Sequence, residues 1–242
     1  MVEWIEMNRM LGVSHFYMYN DSMSEELGCI LSHYQQQGLI TLLPWDIPIS
    51  IGDRKVVRIR GQFLAFNDCI YRAMTRARWL MIIDTDELVI PRQERQLTTL
   101  LDSLVKNYSR ADGNAGFIFK NFFFFLEWED DPVSSVPLLT SRKTRRVIMG
   151  TPIPQRSKYI VRPLEIIEPG NHFVWKHVND AYNSNVPEEH AIMHHYRINR
   201  IGKVPINETV VDRIAHRWTK NLWKRVKTKL QNIQCLQIKH LE

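Results

Sequence analysis

The apolar positions in the first eighty residues alternate between helical and extended spacing. An amphipathic helix opens the chain at Val2, and Val13–Tyr19 has the pattern of a strand. Ser22 and Glu25 form a capping box that predicts a second helix over Met23–Gln37. The next predicted elements are a strand, a helix and a strand: Leu39–Leu43, Gly61–Arg72 and Trp79–Ile83. This alternation predicts an α/β fold with a mixed, mainly parallel sheet flanked by helices.

The strand predicted at Trp79–Ile83 ends in a concentration of negative charge. Asp84, Asp86 and Glu87 follow it directly, and apolar character resumes at Leu88–Ile90. A short run of large apolar residues is typical of a strand covered on both faces, so we expect this strand to be central in the sheet. The carboxylates are then expected at the carboxyl edge, where open α/β sheets bind their ligands.

Extended geometry would place Asp84 and Asp86 on the same side of the chain. Carboxylates held that close repel each other, and a bound cation makes the arrangement favourable. Mn²⁺ or Mg²⁺ suits such a site, because it accepts one or two carboxylates together with water and phosphate oxygens. An acidic surface turn is the competing interpretation. A calcium loop of the EF-hand type is excluded, since Leu88 and Ile90 stand at later ligand positions and no glycine makes the turn.

The second half of the chain departs from the regular alternation. A helix is predicted from Leu97, and Ala115–Leu126, with its four consecutive phenylalanines, is predicted to be a buried strand. Residues 127–158 have the composition of a long loop, which in a compact domain is usually a functional lid or disordered. The basic run at 142–146 is interpreted as solvated surface or as a contact for a diphosphate. The basic amphipathic helix that follows Val210 is expected to pack on the domain rather than on a membrane.

Composition narrows the class of protein. The chain has 242 residues, of which 44% are apolar and 24% charged, which suits one globular domain with a full core. Its net charge of +6 favours an anionic ligand, but no aromatic and basic residues interleave as in RNA-binding signatures, so no nucleic-acid partner is expected. No apolar stretch approaches the roughly 18–20 residues of a membrane span. Among the three cysteines, at most one pair can form a disulfide.

The order of these elements, together with several motifs, resembles glycosyltransferase family 92, whose members have the GT-A fold. The residues that carry the resemblance are Glu3–Val13, Gln62–Arg72, Trp79 with Ile83–Glu87, Lys158–Pro163, Gly170 with His172, and His195–Arg197. The Asp-x-Asp element alone is weak, but the ordered set covers nearly the whole chain. The resemblance implies a single catalytic domain over 1–242, with a nucleotide-sugar-binding half at 1–126 and an acceptor-side half at 127–242. It also implies that a first strand and a membrane anchor, which should precede Val2, are missing from this chain.

The resemblance further implies an inverting, metal-dependent transfer of a hexose to a glycan hydroxyl. In characterised relatives the donor is UDP-galactose. On this basis Asp86 is expected to ligate Mn²⁺ or Mg²⁺ directly, Asp84 to contact ribose or the metal through water, and His195 to be a further metal ligand. Only the anchor, which is expected upstream of this chain, would contact the membrane. The full-length enzyme is expected to be a type II single-pass protein facing the Golgi lumen.

Other site residues follow from the same resemblance. Asn20 and Asp21 end the strand that contacts uracil in related folds, and Asn67 is a donor-site candidate within its motif. Inversion requires a general base that takes the acceptor proton. Four acids follow the phenylalanine strand, where such a base could stand: Glu127, Glu129, Asp130 and Asp131. Asp130 and Glu127 are the two candidates chosen, and solvated loop acids are the competing interpretation for all four.

Two other functions are weighed against this one. A metal-dependent nucleotidyltransferase would use a similar sheet, but it would need a glycine- and lysine-rich triphosphate loop near the N-terminus, and none is visible. A catalytically silent glycan-binding protein that kept the fold would bind nucleotide weakly and without metal. Titration with UDP, with and without Mn²⁺, separates the three.

Overall fold

A computed structural model describes residues 1–46, 61–108, 113–233 and 235 as a mixed α/β fold. The helices are α1 (Val2–Met10), α2 (Glu25–Gln36), α3 (Gln62–Ala73), α4 (Leu97–Tyr108), α5 (Leu139–Arg142) and α6 (His216–Asn232), with short 3-10 turns at Pro163–Glu165 and Ile206–Glu208. The strands are β1 (Phe16–Asn20), β2 (Ile40–Pro44), β3 (Leu80–Ile82), β4 (Glu87–Pro91), β5 (Asn114–Phe119), β6 (Asn121–Phe125), β7 (Arg145–Val147), β8 (Lys158–Val161), β9 (Ile166–Pro169), β10 (Val174–His177), β11 (Tyr182–Asn185), β12 (Ala191–Arg197) and β13 (Thr209–Val211).

The first half of the chain confirms the predicted alternation of strands and helices. α1 ends at Met10, and Gly12 follows it with a φ of 102°, which glycine adopts without strain. α2 begins later than expected, because Ser24 rather than Ser22 is its N-cap and its Oγ accepts a hydrogen bond from the amide of Leu27. β1 and β2 then pair in parallel, as a strand–helix–strand unit requires.

The prediction of a mainly parallel sheet is wrong for the described residues. Three strand pairs are parallel, namely β1–β2, β5–β11 and β6–β12, while five pairs are antiparallel. The antiparallel pairs involve strands of the second half of the chain, where helical crossovers give way to shorter connections such as the β9–β10 hairpin. Antiparallel neighbours need no crossover helix, so the strand–helix alternation of the first half did not extend to them.

β3 is not the central strand that its apolar run predicted. In the described structure it pairs only with β8, at the end of a four-stranded sheet ordered β11-β5-β8-β3. Burial explains the misassignment: Ile82 is buried, but Leu80 and Met81 are partly exposed and line a large cavity. An apolar run reports that a segment is covered, and it does not report how many hydrogen-bonded neighbours the segment has.

The phenylalanine-rich segment confirms the prediction of burial but contains two strands. β5 belongs to the four-stranded sheet, and β6 belongs to a second sheet ordered β4-β12-β6. Lys120 separates the strands, and the four consecutive phenylalanines, Phe122–Phe125, are all buried in the core. The two sheets are thus joined covalently at this point, as they are again between β3 and β4.

Residues 127–158 are more ordered than a loop, since they contain α5 and β7. The basic run at 142–146 is engaged with carboxylates. Arg142 and Lys143 pair with Asp130, and Arg146 lies 2.9 Å from Asp212. Arg142, Lys143 and Arg146 therefore join segments of this domain, and contact of the run with a diphosphate stays a prediction.

α6 packs on the domain as predicted, with Trp218, Leu222 and Val226 buried against the core. Within the described residues, no helix is long and apolar enough to cross a bilayer. Just beyond α6, Cys235 forms a disulfide with Cys29 of α2, and the third cysteine, Cys69, is a buried free thiol.

The disulfide closes a loop of 206 residues, which predicts a clear contribution to stability. Crosslinks of this kind contribute about 2–4 kcal/mol, chiefly by restricting the unfolded chain. Replacing Cys29 and Cys235 together with serine should therefore lower the melting temperature by roughly 6–12 °C. Reductant should lower the melting temperature of the parent and leave that of the double variant unchanged. A parent that melts identically with and without reductant contradicts the prediction.

Candidate active site

The acidic turn lies where the chain leaves one sheet and enters the other. β3 ends at Ile82 and β4 begins at Glu87, in the sheet that also holds β12. The turn is closed by its own polar groups: the Glu87 amide donates to the Asp84 carbonyl at 3.1 Å, and the Asp84 amide donates to Glu87 Oε2 at 3.0 Å. The backbone amides of Asp84 and Glu87 thus have partners inside the turn. Most of the carboxylate oxygens are left for other contacts.

The three carboxylates of the turn have different surroundings. Asp84 and Asp86 are about half exposed, whereas Glu87 is buried. Asp84 Oδ2 lies 3.0 Å from the ammonium of Lys158, while Asp86 Oδ2 lies 3.3 Å from Nε2 of His195. The turn is not extended, and the two aspartates have different partners.

Asp86, Glu87 and His195 form the group that can hold a metal ion. Each offers one ligand atom, and these atoms lie within 4.8 Å of one another. The register of the sheet explains the meeting, because His195 of β12 is directly opposite Glu87 of β4. The imidazole is oriented from behind, with Nδ1 3.0 Å from Asn121 Oδ1 and 3.4 Å from Glu87 Oε1. Carboxylates with one imidazole suit Mn²⁺, so these residues fit the expected ion.

The structure thus brings together two of the predicted metal ligands, Asp86 and His195, and adds Glu87. The sequence carried a signal for Glu87, since it is the third acid of the motif. Its burial was not foreseen, because it begins a strand and its side chain faces the core. Asp84 is instead bound to Lys158, and its contact with a metal stays a prediction.

Burial and charge act in opposite directions on these carboxylates. Burial raises the pKa of Glu87 to about 8, against the opposing effect of the Lys158 ammonium. For Asp86, burial would raise the pKa, but the hydrogen bond and charge of His195 outweigh it, so that the pKa lies below its usual value. Asp86 and Glu87 therefore differ in pKa, and of these two it is Asp86 that is ionised at neutral pH without a metal.

A cavity of about 1000 Å³ opens beside the turn. Asn20 and Asp21 line it at the end of β1, and Asp84 lines it at the end of β3, so the structure brings these three predicted residues together. Tyr19 and Trp45 add an aromatic wall, with ring centroids 5.0 Å apart. The volume is at the upper end of the range for small-molecule sites. Asn67 does not line the cavity; its amide donates to the Phe63 carbonyl within α3.

A second cavity of about 500 Å³ is also lined by Asp84. Its lining includes Asp86, Glu87 and His195, the group that can hold a metal ion, together with basic side chains. Three arginines line it: Arg156, Arg197 and Arg200. None of them forms a salt bridge with any described residue. Asp84 is thus shared by a larger, mostly apolar cavity and a smaller one that is lined by both acidic and basic side chains.

His172 lines the second cavity and was not assigned a role from the sequence, although it belongs to the family motif. Its Nδ1 lies 3.3 Å from the Ser157 carbonyl. In the tautomer in which Nδ1 donates a hydrogen bond to this carbonyl, Nε2 is left as an acceptor. Burial, together with nearby Lys158, lowers the pKa of His172 below its usual value. The imidazole is therefore neutral at neutral pH.

The two predicted general bases lie outside both cavities. Asp130 pairs with Arg142 and Lys143 on the surface, and these two partners hold its pKa below the usual value. Glu127 Oε1 accepts a hydrogen bond from the amide of Asn199. Their neighbour Asp131 is buried and has a structural partner in Arg213. The roles of Asp130 and Glu127 stay predictions.

An α/β fold with an acidic strand-end turn, a histidine beside it and a large adjoining cavity is consistent with an α/β glycosyltransferase. The chain belongs to glycosyltransferase family 92, whose family model matches residues 1–242. It is similar to the beta-1,4-galactosyltransferase galt-1 of Caenorhabditis elegans, with 22% identity over 187 residues, which is 76% of this chain and 40% of the relative. It is also similar to a family 92 protein of Caenorhabditis elegans, with 31% identity over 87 residues, which is 33% of this chain and 17% of that protein. The chain thus spans less than half the length of these relatives.

The buried carboxyl of Glu87 predicts a specific pH dependence of stability. Its pKa of about 8 in the folded chain is above the value of 4.5 for an unperturbed glutamate, so the folded state binds the extra proton between these pH values. This contribution to stability falls as the pH rises through that window. Glu87→Gln cannot ionise, so its melting temperature relative to the parent should rise steadily from pH 5 to pH 8, measured in chelator.

The matched control is Glu188→Gln, since Glu188 is an exposed glutamate whose partner is Lys120. Its melting temperature relative to the parent should not change over the same range. A difference between Glu87→Gln and the parent that stays constant with pH would show that Glu87 ionises in the folded chain as it does in water.

Proposed function

We propose that this glycosyltransferase is metal-dependent, uses a UDP-hexose donor, in particular UDP-galactose, and inverts the anomeric centre as it transfers the sugar to a glycan hydroxyl. The observation that carries the proposal is the position of Asp84 between the two cavities, with Asp86, Glu87 and His195 beside it. A nucleotide in the larger cavity would place its diphosphate next to this group. The smaller cavity would then receive the sugar and the acceptor.

The lining of the larger cavity supports a nucleoside. Asn20 and Asp21 supply polar groups at the end of β1. Tyr19 and Trp45 supply an edge-to-face aromatic pair, with an interplanar angle of 82°, and a base can pack against one of its rings. The hydroxyl of Tyr19 is held by Asp68 at 2.8 Å, so the ring has a fixed position.

Asp86, Glu87 and His195 would hold the metal. When bound, a divalent ion neutralises the charge that develops on the departing diphosphate. The chain adds its own cations to the same task. Arg156, Arg197 and Arg200 line the second cavity without salt-bridge partners in the described residues, and guanidinium groups match phosphate oxygens in geometry and charge.

For the general base we favour His172 over the two acids predicted from the sequence. It lines the acceptor-side cavity, its ring is oriented by the Ser157 carbonyl, and a neutral imidazole can accept the proton of a glycan hydroxyl. Asp130 and Glu127 already have partners elsewhere.

This assignment predicts different effects for the three residues. His172→Gln should lower kcat by roughly 10²–10⁴-fold, because it removes the proton acceptor. Binding of UDP with Mn²⁺ should stay at the parent level, since the variant keeps the donor site. Asp130→Asn and Glu127→Gln should retain near-parent kcat. The measurements are kcat with saturating donor and a UDP titration; a large loss in either acid variant with an active His172→Gln reverses the assignment.

We further propose that the enzyme works in the lumen of the Golgi as a type II membrane protein, with its anchor upstream. The disulfide between Cys29 and Cys235 supports an oxidising compartment, because such bonds are rare in the cytosol. Asn20-Asp21-Ser22 is a sequon for N-glycosylation in such a compartment, but Asn20 is expected to carry no glycan, since it lines the larger cavity.

The central test is Asp86→Asn, which keeps the size of the side chain and removes its charge. The side chain is half exposed, so we expect little change in melting temperature. Binding of UDP with Mn²⁺ and transfer should fall by about a hundredfold or more, or about 3 kcal/mol, because a ligand of the charge-neutralising ion is lost. Calorimetry with UDP, with and without Mn²⁺, on parent and variant measures this.

Asp180→Asn, at an exposed aspartate outside both cavities, is the matched control and should match the parent. If Asp86→Asn binds UDP and Mn²⁺ as the parent does, Asp86 is not a metal ligand. If the parent itself binds UDP weakly and without regard to Mn²⁺, the silent glycan-binding protein is favoured. Activity with a nucleoside triphosphate and a sugar phosphate would instead favour the nucleotidyltransferase.

A further inference from the structure

A lysine lies completely buried beneath the acidic turn. Lys158 is the first residue of β8, and its side chain has no exposed surface. Its ammonium lies 3.0 Å from Asp84 Oδ2 and 3.7 Å from Glu87 Oε2. It also donates to Asn171, whose side-chain oxygen is at 2.9 Å and whose carbonyl is at 3.3 Å. Four oxygens therefore surround a single positive charge.

Such a set of oxygens is itself a cation site. Two carboxylates, one amide oxygen and one backbone carbonyl are donors that hard divalent ions accept. A buried ammonium without such partners would be strongly unfavourable, and the ammonium in turn favours the ionised form of both carboxyl groups. Lys158 and the oxygens thus depend on each other, and the ammonium occupies the place that a second metal ion would take.

We propose that Lys158 is a positioning residue that acts as a built-in cation and limits the acidic turn to one divalent ion. It holds the Asp84 carboxylate at the start of β8, at 3.0 Å. The metal is thereby confined to Asp86, Glu87 and His195. This inference rests on the proposed function in one respect only, namely that the latter group binds a divalent ion.

The direct test is Lys158→Ala, which removes the ammonium and leaves its four oxygens. Titration with Mn²⁺, followed by the electron paramagnetic resonance of the free ion, should show one more bound ion per chain than in the parent. The melting temperature of the variant should also rise with Mg²⁺ or with ethylammonium, which replaces the missing group. The parent should gain nothing from ethylammonium. A residue with a merely structural role would lose stability without acquiring an ion.

Two control variants separate the charge of Lys158 from its packing. Lys158→Arg keeps the charge and should bind the same number of ions as the parent. Lys120→Ala removes a lysine that is mostly buried but pairs with the exposed Glu188, away from the acidic turn, and should also bind the parent number. An additional ion in either control would mean that the gain in Lys158→Ala does not come from the vacated oxygens.

The outcomes distinguish this inference from the proposed function. Lys158→Ala with the parent ion count and a melting temperature indifferent to cations overturns the role of Lys158. If that variant is unfolded in chelator, Mn²⁺ or ethylammonium must restore its near-ultraviolet circular dichroism; failure to restore it overturns the inference equally. A parent that binds no Mn²⁺ contradicts the proposed metal site, whereas an ion gained by Lys158→Ala alone would still support the built-in cation.

Discussion

The acidic turn is held between two sheets, and the candidate site depends on this constraint. β3 pairs with β8 in one sheet, and β4 pairs with β12 in the other, so Asp84 and Glu87 begin and end a passage between them. The backbone of the passage is fixed from several directions. Tyr196 donates its amide to the Asp86 carbonyl at 2.8 Å, and the indole of Trp4 donates to the Glu87 carbonyl at 2.8 Å. The carboxylates therefore occupy a rigid turn, which a metal site requires.

Strand alternation on β12 gives two adjacent histidines opposite roles. His194 faces the core, stacked on Phe124 with ring centroids 4.2 Å apart, and burial lowers its pKa to about 3. It is a neutral structural group whose Nδ1 lies 3.0 Å from the Tyr196 hydroxyl. His195 points the other way, to Asp86 and Glu87. A shift of one residue in the register would exchange the two, so the pairing of β12 with β4 decides which histidine reaches the site.

Hydrophobic periodicity and charge along the sequence correctly predicted the elements that depend on residues close together in the chain. The succession of strands and helices in the first half, the charged end of β3 and the packing of α6 all follow from periodicity and burial. Strand direction and sheet membership depend on contacts distant in sequence. The predictions of both were therefore wrong: β3 is not a central strand, and the sheets are not mainly parallel. His195 was found only through the family motif, because nothing local distinguishes it from His194. Lys158 lay within a motif too, but its role depends on Asp84, 74 positions earlier in the printed sequence, which no local pattern reports.

The charge state of each acidic side chain at this site is set by its surroundings rather than by its residue type. Three carboxylates follow one another along the chain, yet one is bound to an internal ammonium, one carries free charge beside an imidazole, and one is buried with a raised pKa. A metal that enters would meet one carboxylate already ionised and would favour ionisation of the second, because a nearby cation stabilises the charged form. Metal affinity would then rise with pH as Glu87 gives up its proton. Since Asp84 borders both cavities and is held by Lys158, it would keep its position throughout, and the two cavities would keep a common wall whether or not the ion is bound.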